Sequence, residues 1–321
     1  MKKTHAIAAL VALFAAVPAP AQQYPARPIR LINPLGTGGT AEALARTLAK
    51  GISDNIGQTV VVETRAGAAG TIGADYVAKS PPDGYTLLYG VTGANSIAPS
   101  LYRKLPYDPE KDLAPVSIAF AGPNVLLVNN AANLNSVQDL IALARAKPGA
   151  ISFASAGNGS MSHLNGEMLK AQTGADMLHV PYKGGGAAAP DLLSGRVHMM
   201  IETGGGVTQL IRSGKVKALA VTSPRRFPQL PDVPTFVELG FPRMVSLVWG
   251  GVFAPGGTPR PILDRVSEAV ARAAKDPAYR ETVAGLSNDA VSMSPDEFRA
   301  FVHEEIVKYG ELVRSLGLTQ E

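Results

Sequence analysis

Residues Ile29–Arg46 read IRLINPLGTGGTAEALAR, an apolar run, then a turn holding three glycines, then alanines and leucines at helical spacing. The order is strand, turn, helix. It recurs in Ile151–Leu164 (ISFASAGNGSMSHL) and Met177–Leu192 (MLHVPYKGGGAAAPDL). Glycines permit positive φ and close approach, and the first amides of a helix have no partner within it. The helix dipole adds partial positive charge there, so each turn suits a carboxylate or phosphate. No obvious nucleophile or base accompanies them, which points to a protein that holds an anion without transforming it. Gly39 is the position where a Cβ would come between helix amides and anion.

Working outward, apolar β-branched runs alternate with helical patterns nearly throughout, which predicts an α/β fold with parallel sheets. A first series places strands at Arg30–Asn33, Thr59–Glu63 and Thr86–Tyr89, with helices at Thr40–Ile52 and Thr71–Lys79. A second places strands at Val125–Val128, Ile151–Ala154, Leu178–Val180, Val197–Ile201 and Lys217–Val221. Helices at Val137–Lys147, Ser162–Gln172, Ala187–Leu193 and Thr208–Arg212 separate them. Pro224–Pro242 is a proline-rich traverse. Beyond it, Ile262, Val266, Ala269, Val270 and Ala273 mark one helix. Ser294-Pro295-Asp296-Glu297 is a capping box that opens another. Two domains are expected, crossing at Ser117–Ala121 and after Thr222: residues 22–120 with 225–321, and residues 121–224. Ligands of open α/β sheets bind beyond the carboxyl ends of strands, where the three turns lie.

Met1–Ala21 reads as a secretory leader, with Lys2 and Lys3, an apolar stretch Ala6–Val17 and small residues Ala19 and Ala21. Twelve apolar residues are too few to span a bilayer, and no later run is apolar enough, so no stable membrane insertion is expected. The expected destination is the periplasm, with no lipobox cysteine as tether. Losing Lys2 and Lys3 takes the formal charge from +4 to +2. Without a basic cluster or interleaved aromatic stripe, nucleic-acid binding is not expected. Zero cysteines exclude disulfides, thiol catalysis and thiolate metal sites.

Enzyme signatures are sparse. There is no G-x-S-x-G, and His163, His179, His198 and His303 form no metal-ligand spacing. Gly36-Thr37-Gly38-Gly39-Thr40-Ala41 does satisfy G-x-G-x-x-A, with Glu63 where a ribose-binding acid would sit. A dinucleotide-dependent enzyme is therefore the alternative, although export and the two other glycine turns count against it, and no cofactor is expected. Lys183 is the best-placed cation beside the third turn, with a solvated surface lysine as the plain alternative. Glu202 follows an apolar strand at the cleft side, where it would meet a ligand or make a structural hydrogen bond.

Several motifs occur in a distinctive order. They are Tyr24-Pro25 with Pro28-Ile29, Gly38-Gly39-Thr40, Pro81-Pro82-Asp83-Gly84-Tyr85-Thr86-Leu87 and Leu105-Pro106-Tyr107-Asp108. His179-Val180-Pro181-Tyr182-Lys183-Gly184, Ala218-Leu219-Ala220-Val221-Thr222 and Leu230-Pro231-Asp232-Val233-Pro234-Thr235 follow. In this order the chain resembles, over essentially all of its mature length, the substrate-binding proteins of tripartite tricarboxylate transporters, the Bug-type family. The resemblance implies a type II periplasmic binding protein, two α/β domains closing over a small-molecule carboxylate. It implies a non-enzymatic receptor that serves the membrane subunits of a tripartite transporter, with a monomer as the expected state. A sensory receptor presenting ligand to a membrane kinase stays open. Family usage carries over onto Leu35, Thr37, Gly38, Gly39 and Thr40 in the first turn, and onto Tyr182, Lys183, Gly184 and Gly185 in the third. Thr92, Asn95, Ser155, Asn158 and Ser160 would line the rest. Leu35, Thr37 and Glu42 depart from the family's usual aromatic, proline and aspartate, so ligand identity does not transfer.

Overall fold

The computed structural model describes residues 24–203, 210–211 and 214–319. The leader read at Met1–Ala21 lies outside them, as does most of the helix read at Thr208–Arg212, of which Leu210 and Ile211 are helical.

The first lobe begins with three parallel strands, β1 (Ile29–Asn33) between β2 (Val60–Thr64) and β3 (Thr86–Val91). Helix α1 (Thr40–Ile56) and helix α2 (Thr71–Ala78) make the crossovers. Helix α1 runs four residues past the expected Ile52 and stops where Gly57 turns left-handed, at φ +81°. A π-helical turn, Gly93–Ile97, and the short α3 (Ala98–Leu101) follow β3. The second lobe repeats the scheme with α4 (Val137–Ala146), β5 (Ile151–Ser155), α5 (Met161–Thr173), β6 (Met177–Pro181), α6 (Gly185–Leu193) and β7 (Met199–Thr203).

Between the lobes runs β4 (Leu113–Asn129), seventeen residues without a charge. Its first part pairs with β9 (Leu247–Pro255) and the short β10 (Asp289–Ala290). From Asn124 onward it pairs with β7 and β8 (Val216–Val221). The order is β2-β1-β3-β9-β4-β7-β5-β6, with β8 and β10 also on β4. Three helices complete the chain: α7 (Arg260–Ala273), α8 (Pro277–Gly285) and α9 (Pro295–Ser315).

The fold is α/β in two lobes, but three expectations need correction. The sheets are mixed, because β4, β8, β9 and β10 run antiparallel to their partners. Val125–Val128 is the second half of β4, and Ser117–Ala121 lies within its first half; the change of partners comes at Pro123 and Asn124. Strand β9, which carries Gly250-Gly251, was not among the expected strands. There the glycines make room: a Cβ on Gly250 would come within 2.1 Å of the Phe120 ring.

In the second half of β4, Val125 and Leu127 face one apolar cluster and Leu126 and Val128 another, as alternation in a strand requires. The proline-rich traverse packs Leu230 and Val233 into the former and Phe236 into the latter, where Met244 just beyond it also lies. Helix α9 joins both lobes. Phe298 and Val302 lie in the first lobe's core, while Tyr309 and Val313 lie with Leu126 and Phe236. Its capping box forms as the sequence predicts. Buried Trp249 on β9 donates from Nε1 to Glu305 Oε2 on α9 at 3.0 Å.

Replacing Glu305 by alanine leaves that indole N–H buried without an acceptor. Glu305→Ala is expected to cost about 1–3 kcal/mol of unfolding free energy, and Glu305→Gln less, since it keeps an acceptor oxygen. Urea denaturation followed by Trp249 fluorescence measures both; equal losses would show that the bond contributes little.

Candidate ligand-binding cleft

All three glycine turns converge on one cavity between the lobes, about 160 Å³ in volume. The first turn supplies Leu35, Gly38, Gly39 and Thr40; the second, Ser160 and Ser162; the third, Gly184, Gly185 and Gly186. Tyr89, Phe120 and Trp249 give it apolar walls, and Glu202, Thr203 and Asn124 bring polar atoms from β7 and β4.

The three helix starts are not equivalent. Ser160 caps α5 itself: its Oγ accepts from His163 N at 3.2 Å and donates to Gly157 O at 2.7 Å. Helices α1 and α6 instead begin at Gly39 and Gly184, with no side-chain cap. Glu42 takes one amide of the first turn, accepting from Gly38 N at 2.8 Å while Arg46 holds its other oxygen. The Gly38 amide and the Arg46 guanidinium hold the Glu42 carboxyl below its ordinary pKa. Thus the second turn, expected to receive an anion, is satisfied from within, and the first and third are left to face the cavity.

Those two turns touch across the cleft, backbone against backbone. A Cβ on Gly36 would lie 2.2 Å from Lys183 O, and one on Gly186 2.9 Å from the backbone of Gly38 and Gly39. A Cβ on Gly39 would meet Gly186 N at 3.2 Å, so that glycine serves the approach of the lobes as well as the cavity wall.

The remaining sequence-derived residues divide by position. Thr92 lines the cavity, but its hydroxyl accepts from Trp249 N at 3.1 Å and donates to Trp249 O at 3.3 Å. Leu35 also borders a second, more open cavity of about 590 Å³, where Asn158, Tyr182 and Lys183 lie. The Tyr182 phenol donates to Asp191 Oδ2 at 2.7 Å, and burial with that carboxylate pushes it up to about 12. Thr37 is exposed and borders neither cavity. Asn95 is fully buried and accepts from Val91 N, bracing the π-helical turn. Ser155 is fully buried against His179 Nε2 at 2.6 Å. Glu63, the acid of the dinucleotide alternative, is paired with Arg30 and Arg65.

Sequence reading missed Tyr89, Phe120, Asn124, Trp249 and Ala69. Asn124 interrupts an apolar run and Trp249 is the only tryptophan, and both were usable signals. Ala69 borders both cavities in a left-handed conformation, φ +52°, that alanine rarely adopts, so its sequence gave no sign of it. Among the described residues no group of three or more His, Cys, Asp or Glu is placed to hold a metal. No described helix is long and apolar enough to cross a membrane.

Behind the second turn, Phe153, His179 and His163 form a stack, with 4.1 Å between the imidazole centroids. Burial lowers both histidines, His179 to about 3 with the neighbouring His163 as a further cause. An unfolded chain therefore binds protons below about pH 6.5 that the folded protein refuses until about pH 3. Stability from this stack is full above pH 6.5 and falls as pH drops through that window. The melting temperature of wild type is expected to fall more between pH 7 and pH 4 than that of His179→Gln, which lacks the titrating ring. Parallel acid limbs would show that the stack carries no such linkage.

Residues 44–318 match the sequence model of the family described as "Tripartite tricarboxylate transporter family receptor". Protein BugT of Bordetella pertussis is 41% identical over 303 residues, 94% of this chain and 93% of BugT. Among solved structures, the periplasmic binding protein BugD superposes with a TM-score of 0.89 at 36% identity, covering 93% of this chain and all of BugD. Rpa4515 of R. palustris, solved with adipate, gives 0.89 at 34% identity over 92% and 99% of the two chains. MatC of Rhodopseudomonas palustris, with bound malate, gives 0.85 at 31% over 90% and 100%.

Proposed function

The chain belongs to the tripartite tricarboxylate transporter receptor family, and on that premise we propose that it is a periplasmic receptor for a small carboxylate, delivered to the membrane subunits of a tripartite tricarboxylate-type transporter. One observation carries the reading. Two helix starts without side-chain caps, from opposite lobes, face a single cavity that no Lys, Arg or His of the described residues lines. Backbone N–H groups and two dipole ends are the positive features of that space, and a carboxylate satisfies several donors at once. A neutral sugar gains nothing from the dipoles.

The site residues fall into roles on this reading. Gly38–Thr40 and Gly184–Gly186 present backbone to the carboxylate, while Leu35, Tyr89, Phe120 and Trp249 enclose its carbon skeleton. Cavity size sets a limit, since about 150 Å³ holds a molecule the size of benzene. The gripped end is therefore short. A longer ligand extends past Leu35 and Ala69 toward Tyr182, Lys183 and Asn158. The adipate and malate held by two relatives fit such a range. The glycine turn that satisfied a dinucleotide fingerprint abuts the third turn of the other lobe, where Gly36 and Gly39 meet Lys183 and Gly186.

A thermal-shift screen with adipate, malate, succinate, citrate and benzoate tests the function. A ligand at about a hundred times its dissociation constant adds about 2.7 kcal/mol of stability. At least one of these acids should raise the melting temperature, and its methyl ester at the gripped end should not. Shifts produced only by neutral sugars or nucleotides would overturn the reading.

Gly186→Val places side-chain carbon against Gly38 and Gly39, and so holds the two turns apart. Its affinity for the screened acid should fall at least about tenfold, or 1.4 kcal/mol, with unchanged far-UV circular dichroism. Normal binding would mean that contact between the turns is not part of the site.

A further inference from the structure

The inner and outer cavities share four lining residues: Leu35, Gly36 and Ala69 from the first lobe, and Ala156 from the second. None has a polar side chain. Two of their amides are already engaged, Leu35 N by Asn33 Oδ1 at 3.2 Å and Ala156 N by Ser162 Oγ at 2.9 Å. A ligand hydroxyl lodged at this join would give up water and find few partners, which is costly, whereas methylene groups have no such bonds to lose.

Ala69 is also held in a conformation that alanine resists. Gly67, Ala68, Ala69 and Gly70 have φ of +145°, +45°, +52° and +101°, four positive values in succession. A positive φ crowds an alanine Cβ against its own backbone. The run is closed locally, with Gly70 N donating to Gly67 O at 2.9 Å and Thr71 Oγ1 donating to Ala68 O at 3.0 Å. Across the cleft it meets the second turn. A Cβ on Gly157 would lie 3.8 Å from Ala69 N, and one on Gly159 would lie 3.9 Å from Ala69 Cβ. Strain retained where two lobes and two cavities meet points to a use for the shape of that residue.

We propose that Ala69 is a specificity-determining residue: it sets the width of the join, so that the ligand is an unbranched dicarboxylate whose methylenes cross from one cavity to the other beside it. One carboxylate is held by the first and third glycine turns. The other lies in the outer cavity, where Lys183 is the charged residue of the lining. This proposal rests on the carboxylate-receptor reading. Ala68 supplies an internal control, since it shares the strain but borders the outer cavity alone.

Isothermal titration of succinate, adipate, 3-methyladipate and hexanoate tests it, on wild type, Ala69→Asn, Ala69→Gly and Ala68→Gly. A diacid must be long enough to place a carboxylate in each cavity. Wild type should therefore bind adipate at least about tenfold more tightly than succinate, hexanoate or 3-methyladipate. Asparagine tolerates a positive φ but is larger than alanine, so Ala69→Asn should abolish the preference for adipate over succinate. Ala69→Gly relaxes φ and removes the methyl group. It should raise the melting temperature and bring 3-methyladipate to within about threefold of adipate. Ala68→Gly should raise the melting temperature too, with both preferences as in wild type. A wild-type preference for succinate would overturn the proposal and leave the receptor reading intact. So would hexanoate binding as tightly as adipate, unchanged preferences in the folded Ala69 variants, or the same change in Ala68→Gly. Binding of citrate or benzoate alone would likewise defeat only this proposal. If no acid binds at all, the receptor reading fails and this proposal with it.

Discussion

One strand belongs to both sheets, and the rest of the molecule is arranged around that sharing. Strand β4 is uncharged over its whole length and buried almost throughout, which permits it to be central in two lobes in succession. Such a strand cannot change sheets without a break in its pairing, and the break comes at Pro123 and Asn124. Pro123 has no N–H to place. Asn124 is bonded through N and O to Thr222, at the end of β8, so both interlobe connections are joined at one point. The cavity lies where this happens. Asn124 lines it, and β7, the new partner, brings Glu202 and Thr203 to the same place.

Parallel strands on either side then aim their carboxyl ends at the same gap. In the first lobe β1 leads into α1, and in the second β6 leads into α6, each through glycines. Contact between Gly36 and Lys183, and between Gly38–Gly39 and Gly186, depends on the absence of a Cβ at Gly36 and Gly186, and less strictly at Gly39. Any larger residue there would hold two helix dipoles apart. Brought together they make a positive region without a cationic side chain. Arg or Lys would fix an anion more tightly, yet would have to be desolvated with it. Fixed backbone dipoles carry no such penalty, which suits a receptor that has to release what it binds.

Much of this was legible in the sequence, for identifiable reasons. The three strand–turn–helix units announced themselves because glycine runs between an apolar run and a helical one have few other uses. The capping box at Ser294 was legible because its chemistry is local. Reading failed where distant packing decides. Strand β9 carries Gly250-Gly251, and Gly250 has its use only beneath the Phe120 ring. Asn95 and Ser155 sit in the right segments, but their side chains serve Val91 and His179, partners that local sequence does not name. Tyr182 belongs to a family motif, and its hydroxyl turns to Asp191, outside the inner cavity. The motif located the turn; the direction of each side chain was a tertiary matter.

Helix α9 limits how the cleft can open. It contributes Phe298 and Val302 to one core and Tyr309 and Val313 to the other, and the Trp249–Glu305 bond pins its middle to β9. Pulling the lobes apart along α9 would expose both sets, at about 25 cal/mol for each Å² of apolar surface. The glycine turns on the opposite side of the cleft have no such cross-lobe core; they meet through backbone alone. Separation therefore costs least as a rotation that leaves β4 and α9 in place and opens at the turns. That motion parts the two helix starts from each other first, and so dismantles the anion seat before any core is disturbed. On the proposed reading, ligand binding and lobe closure would then depend on the same few backbone contacts between the first and third turns.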